Sequence, residues 1–291
     1  MPAQRIAAAA TGVRLRSLLF VPGDRPDRFA KAAASGADAL ILDLEDSVAP
    51  ERKGYAREAV RDWLGGTRSV AAFVRVNPLD GAAVSDDLAA VLPAAPDGLM
   101  LPKAEGAASV RALVEAAGGS APPILPIATE TPAAVFELGS YREVAPHLAA
   151  LTWGAEDLPA AIGATSSREE DGRYTAPYEM VRALTLFGAH AAGVPAIETV
   201  FPRIDAADAL AAYVRRARRD GFTGMMAIHP AQVTTINDAF TPTPDELARA
   251  RAIVEAFAAA PGAGALKLDG AMIDRPHMVQ ARRILGLAEK G

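Results

Sequence analysis

Short runs of aliphatic and β-branched residues recur along the chain, each followed by a stretch with helical character. The runs lie at 17–21, 39–42, 71–76, 98–101, 124–128, 150–153, 196–201 and 225–228. Most are continuously apolar rather than alternating, as expected of strands buried on both faces of a parallel sheet. Between them the sequence predicts helices at 26–35, 50–64, 107–117, 132–138, 177–192 and 205–220. Pro26 and Pro50 mark helix starts, and Gly36, Gly65, Gly118, Gly139, Gly193 and Gly221 mark stops. Eight alternations without a topological break predict an α/β fold, a (β/α)8 TIM barrel, rather than an open doubly wound sheet. The predicted organisation is a frayed tail over 1–13, a barrel over 14–260 and a C-terminal helical arm over 261–291.

Composition narrows the function. Of 291 residues, 51% are hydrophobic, enough to bury a core. A net charge of −5 argues against a nucleic-acid partner. The absence of cysteine removes disulfides, thiolate metal sites and cysteine nucleophiles. No apolar run approaches the roughly 18–20 residues that span a bilayer, so no membrane association is expected. Arg5 and the alanines after it faintly resemble a signal peptide, but the stretch is short and Arg14 and Arg16 follow at once. The expected compartment is the cytoplasm.

In a barrel, chemistry gathers where strands end. Asp43, Glu45, Arg75, Glu105, Glu130 and Asp157 all stand at or just beyond predicted strand ends. Five acids facing one pocket would repel and resist ionisation, so a divalent cation is the natural counter-charge. Oxygen ligands without cysteine favour Mg²⁺ over Zn²⁺. Glu130 and Asp157, on adjacent strands, are the expected metal ligands, while Asp46 and Glu156 are read as helix caps. Arg75 has two readings: a structural salt bridge to Asp43 or Glu45, or a cation that clamps a carboxylate or an enolate oxygen. The polar insertion 166–175 (SSREEDGRYT) is either a lid or a surface embellishment. His229 is read as making a structural hydrogen bond before Pro230, Trp63 and Trp153 as packing residues, and the arginines at 215, 216, 218 and 219 as a solvated helix face.

The stretches 16–23 (RSLLFVPG), 36–48 (GADALILDLEDSV), 74–77 (VRVN), 101–103 (LPK), 128–131 (ATET), 154–158 (GAEDL), 228–232 (IHPAQ) and 269–276 (DGAMIDRP) resemble the citrate lyase beta-subunit-like enzymes. These include malyl-CoA and citramalyl-CoA lyases of the HpcH/HpaI aldolase superfamily. The resemblance implies that Glu130 and Asp157 hold Mg²⁺, that Arg75 is catalytic and that Asp274 is a catalytic acid. In the mechanism this suggests, Asp43 or Glu45 orients Arg75 or metal-bound water. The resemblance also implies that Asp274 reaches a neighbouring subunit, in a homotrimer or hexamer. Arg25, Arg28 and Lys31, near a helix start, are expected either to bind coenzyme A phosphates or to be solvated. Departures from the family pattern fall at Glu198, where aspartate is frequent, at Ala271, where lysine is frequent, and near Met225, where many members carry a lysine.

The implied activity is Mg²⁺-dependent cleavage or formation of a 3-hydroxy-dicarboxylic acyl-CoA thioester, malyl-CoA- or citramalyl-CoA-like, with acetyl-CoA and a 2-oxo acid as products. One alternative is the beta subunit of a citrate lyase complex, acting on a carrier-protein thioester beside alpha and carrier subunits. A second is a pyruvate-dependent class II aldolase. Against it, none of His147, His190, His229 and His277 follows the first two strands, where such enzymes carry a histidine base. The third is a non-catalytic barrel.

Overall fold

Buried apolar strands need neighbours on both edges, and here they find them by closing a ring. The computed structural model describes residues 14–288; the tail assigned to 1–13 lies outside the described residues. Eight parallel strands, β1 (Ser17–Pro22), β2 (Ala39–Asp43), β3 (Ala71–Arg75), β4 (Gly98–Leu101), β5 (Ile124–Pro126), β6 (Leu151–Thr152), β7 (Ala196–Glu198) and β8 (Gly224–Ala227), run in the order 5-4-3-2-1-8-7-6. The ring is a (β/α)8 barrel, as the alternation predicts. The seam between β5 and β6 has no continuous ladder. Isolated bridges join Ile124 to Leu148 and Ile127 to Thr152, and the amides of Ala149 and Ala128 donate across at 2.8 and 2.9 Å.

Leu18, Ile41, Phe73, Met100, Leu125, Ile197 and Met226 fill the interior. Gly98 is required there, because a Cβ would lie 2.2 Å from the Phe73 ring. The surrounding helices are α1 (Phe29–Ala33), α2 (Lys53–Leu64), α3 (Ala83–Val91), α4 (Gly106–Ala116), α5 (Pro132–Glu137), α6 (Leu158–Ile162), α7 (Ala176–Ala192), α8 (Ala207–Asp220) and α9 (Val233–Phe240). The pattern of prolines and glycines missed α3. Its C-terminal turn passes through Pro93 and is stopped by Ala95 in the left-handed region (φ 51°), so no glycine advertises its end.

A second compact unit begins at Asp238, not near 261. The barrel bounds expected from sequence, 14–260, include its α10 (Pro244–Ala259). The buried Ala250 and Ile253 of α10 instead cluster with Ile273 and Ala281, from the hairpin β9 (Ala265–Leu268)–β10 (Ala271–Asp274) and from α11 (Arg275–Ala288). Thr243 and Glu246 cap α10 reciprocally. Among the described residues, no helix is long and apolar enough to cross a membrane.

Candidate active site

A cavity of about 760 Å³ opens at the carboxyl ends of the barrel strands. Its deeper walls are apolar, with Leu19, Phe20, Ile127 and Met226. Its charged lining includes Arg28, Lys31, Asp43, Asp46, Arg75, Glu130, Glu156 and Asp157.

Asp43 ends β2 and Arg75 ends β3, in register with each other. The Arg75 guanidinium grips Asp43 through both carboxylate oxygens at 2.7 Å and meets Glu45 at 2.9 Å. Lys103 reaches the other Glu45 oxygen at 2.8 Å. Burial opposes the charge on Asp43, but the paired Arg75 contact and the amides of Ser47 and Glu45 outweigh it, holding its carboxyl below the usual range. For Glu45 burial wins over Arg75 and Lys103, and its carboxyl is pushed up. Despite burial, Asp43 and Glu45 raise the affinity of Arg75 for its proton. Arg75 is thus ion-paired, the first of its two readings, and it also lines the cavity with N–H groups to spare. Behind this cluster, Lys53 donates to the carbonyls of Leu44 and Glu45 and to Asn77 Oδ1, at 2.6–2.9 Å. The fully buried Asp87 in turn accepts from Asn77 and Arg57.

Glu130 and Asp157 differ from this. Glu130 follows β5 and is buried. Its Oε2 accepts the Lys103 amide at 2.6 Å, an amide presented by a residue in the left-handed region (φ 49°). Burial, with the charges of Asp157 and Glu45 adding, pushes its carboxyl up to about 8. The backbone of Gly154 presses on it so closely that a Cβ there would lie 2.8 Å from Glu130 Cγ. Asp157 opens α6 without capping it through its side chain, and faces the same cavity. Among the described residues, no group of three or more histidines or acids encloses a metal. Two carboxylates facing open space still fit Mg²⁺, which takes one or two carboxylates and fills its remaining positions with water and ligand oxygens.

Other expectations fare unevenly. Glu105 is exposed, accepts the Thr131 hydroxyl at 2.6 Å and does not line the cavity. Asp46 and Glu156, read as caps, line the cavity instead. Arg28 and Lys31 lie on its wall, whereas Arg25 pairs with Asp27 at the surface. His229 Nδ1 accepts the Ala231 amide at 3.2 Å, the structural bond expected of it, and its side chain also borders the cavity. Asp274 belongs to the second unit. It lies 2.5 Å from His277 Nδ1, and that hydrogen bond holds its carboxyl below the usual range. Residues 166–175 form a small hairpin bridged between Arg168 and Tyr174, and Tyr174 is buried edge-on against Trp153. On sequence, Lys103 has no role, although it lies in a quoted motif, and Glu198, a buried acid at the end of β7, is marked only as a departure from the family pattern.

A closed barrel whose strand ends converge acids and cations on one partly apolar cavity is the architecture of a barrel enzyme. The chain belongs to the HpcH/HpaI aldolase/citrate lyase family, whose model matches residues 16–230. It is 39% identical over 276 residues to a citrate lyase subunit beta-like protein of Mycobacterium tuberculosis, covering 92% of this chain and 93% of that one. An L-malyl-CoA/beta-methylmalyl-CoA lyase of Cereibacter sphaeroides is 33% identical over 302 residues, covering 94% of each chain. A (3S)-malyl-CoA thioesterase of the same species is 32% identical over 281 residues, again covering 94% of each. Among solved structures, the M. tuberculosis protein CitE in complex with magnesium, acetoacetate and coenzyme A superposes with a TM-score of 0.81 at 35% identity, covering 96% of this chain and 99% of that one.

Proposed function

We propose that this chain is a Mg²⁺-dependent carbon–carbon lyase acting on a malyl- or citramalyl-like 3-hydroxyacyl thioester of coenzyme A. The products are acetyl-CoA and a 2-oxo acid. The observation that carries the reading is the Glu130–Asp157 pair: two acids at adjacent strand ends, facing the cavity, one of them buried with its carboxyl pushed up to about 8. The names of the relatives and the ligands of the superposed CitE structure support the substrate class.

In this reading Glu130 and Asp157 hold the cation. When bound, Mg²⁺ supplies Lewis acidity that lowers the pKa of the substrate hydroxyl and orients the bond to be broken. Asp43 and Glu45 fix the guanidinium of Arg75, whose uncommitted N–H groups stabilise the negative charge that develops on the thioester oxygen. The hydroxyl releases its proton to solvent water, the carbon–carbon bond breaks, and its electron pair forms the enolate of acetyl-CoA. Asp274 of a neighbouring subunit relays a proton from solvent to that enolate carbon. Arg28 and Lys31 meet the phosphates of coenzyme A at the cavity wall.

The test is product analysis with malyl- and citramalyl-CoA, with and without Mg²⁺. Acetyl-CoA and the 2-oxo acid are expected from the wild type with Mg²⁺ only. Full Mg²⁺-dependent activity in Glu130→Ala overturns the metal assignment. Free coenzyme A and the intact hydroxy acid would instead mark the thioester hydrolysis named for one relative. Activity on a carrier-protein thioester alone would mark a citrate lyase subunit. Mixing inactive Glu130→Ala and Asp274→Asn chains tests the oligomer: partial recovery is expected if each site draws Asp274 from its neighbour, and none if it does not.

A further inference from the structure

On sequence, Trp153 reads as a packing residue and Glu198 as a departure from a pattern. We infer that the two form a positioning device for the metal-ligand pair, with Trp153 tied to Glu198 so that Gly154 is pressed into place beside Glu130. This rests on the reading that Glu130 and Asp157 hold Mg²⁺.

The fully buried indole of Trp153 donates from Nε1 to Glu198 Oε1 at 2.5 Å. That oxygen also accepts the Thr199 amide at 2.9 Å. The other Glu198 oxygen accepts Arg182 Nε at 2.6 Å, and Arg182 reaches on to Asp220 at 2.7 Å. The carboxylate is thus fixed from α7 and α8, and it fixes the plane of the indole. On another side the Tyr174 ring meets Trp153 edge-on, centroids 5.0 Å apart, and Arg168 lies over that tyrosine at 4.0 Å. The insertion thus packs against Trp153 through Tyr174.

From Trp153 the string runs straight to the candidate ligands. The next residue, Gly154, donates its amide to Thr129 Oγ1 at 3.1 Å, and that hydroxyl lies 3.2 Å from the Gly154 carbonyl. Thr129 directly precedes Glu130, against whose Cγ Gly154 is packed. Asp157 follows three residues after Gly154. A shift of the indole moves Gly154, and with it the contact on Glu130 and the start of the segment bearing Asp157. Neither Trp153 nor Glu198 lines the cavity, so they act through other residues. Burying a glutamate and an arginine contributes little net stability compared with apolar residues of the same volume. The pair instead gives the indole a single direction, which a purely apolar core would not enforce.

The test uses the full chain and Mg²⁺ calorimetry, which does not depend on turnover. Wild type should bind, and Glu130→Gln should not. Trp153→Phe keeps the packing but loses the donor, and Thr129→Val breaks the next link. Both should keep a cooperative thermal transition yet bind Mg²⁺ about 10–100-fold more weakly, the range for residues that orient metal ligands. At saturating Mg²⁺ their kcat should fall while KM for the thioester holds. In a Trp63→Phe background, Trp153 is the sole tryptophan, and its fluorescence should change saturably with Mg²⁺. Wild-type affinity in both Trp153→Phe and Thr129→Val overturns the positioning role alone. A wild type that binds no Mg²⁺ overturns the ligand reading and this inference with it.

Discussion

At the ends of β2 and β3, buried acids come with cations: Asp43 is gripped by Arg75, and Glu45 is shared by Arg75 and Lys103. At the ends of β5 and β6, Glu130 and Asp157 form no ion pair among the described residues, and the buried Glu130 carboxyl rises to about 8. The first side is finished by the chain itself, while the second is left electrically open. Within one ring, the difference separates a part whose buried charges are paired by the chain from a part whose buried negative charge has no ion-pair partner among the described residues.

Breaking the finished side should have the largest effect. Arg75→Met strands a buried aspartate, and removing one partner of a buried pair costs about 3–5 kcal/mol. Urea denaturation should show that loss with an unchanged slope, whereas a cost below about 1 kcal/mol would place the pair among weak surface bridges. On the open side, Glu130→Gln should lower Mg²⁺-dependent turnover by about 10²–10³-fold, as several kcal/mol of metal-assisted stabilisation is lost. Steady-state assays check it.

Asp43 on the one side and Glu130 on the other should respond oppositely to pH. The folded Asp43 pKa is depressed, so its contribution is present above the ordinary value of 3.8 and is lost as pH falls through the folded value. The folded Glu130 pKa is raised from 4.5 to about 8, so its contribution is full below 4.5 and is lost as pH rises towards 8. Without divalent cations the melting temperature should therefore decline from pH 5 to 8. Glu130→Gln should flatten that decline, and a slope unchanged by the substitution would show that Glu130 is not its source. The smallest effect is expected at the rim, where Arg28→Ala and Lys31→Ala should each raise KM for a CoA thioester about 2–5-fold, the scale of exposed charge contacts. Arg25→Ala, paired at the surface with Asp27, should leave KM unchanged.

Much of this was legible in the sequence. All eight strands announce themselves as continuous apolar runs, because both faces of a barrel strand are buried. The strand-end acids could be collected by counting, since parallel strands deliver their last residues to one rim. What counting could not supply was direction. Glu105 stands at a strand end like Glu130, yet it turns outward to Thr131. Asp46 and Glu156 look like caps and face the cavity instead. Glu198 pairs with Trp153, 45 residues away, through a hydrogen bond that no local spacing encodes. The second unit starts ahead of the arm expected at 261, and nothing local in α10 says which neighbours it packs on.

The seam between β5 and β6 has a consequence for the whole ring. β6 is only two residues long and meets β5 through isolated bridges rather than a ladder. Glu130 and Asp157 follow the two strands on either side of that gap. An ion held in common by the two acids would rivet the barrel at its thinnest stave, and the amides of Ala128 and Ala149 would exchange with solvent more slowly once it is in place.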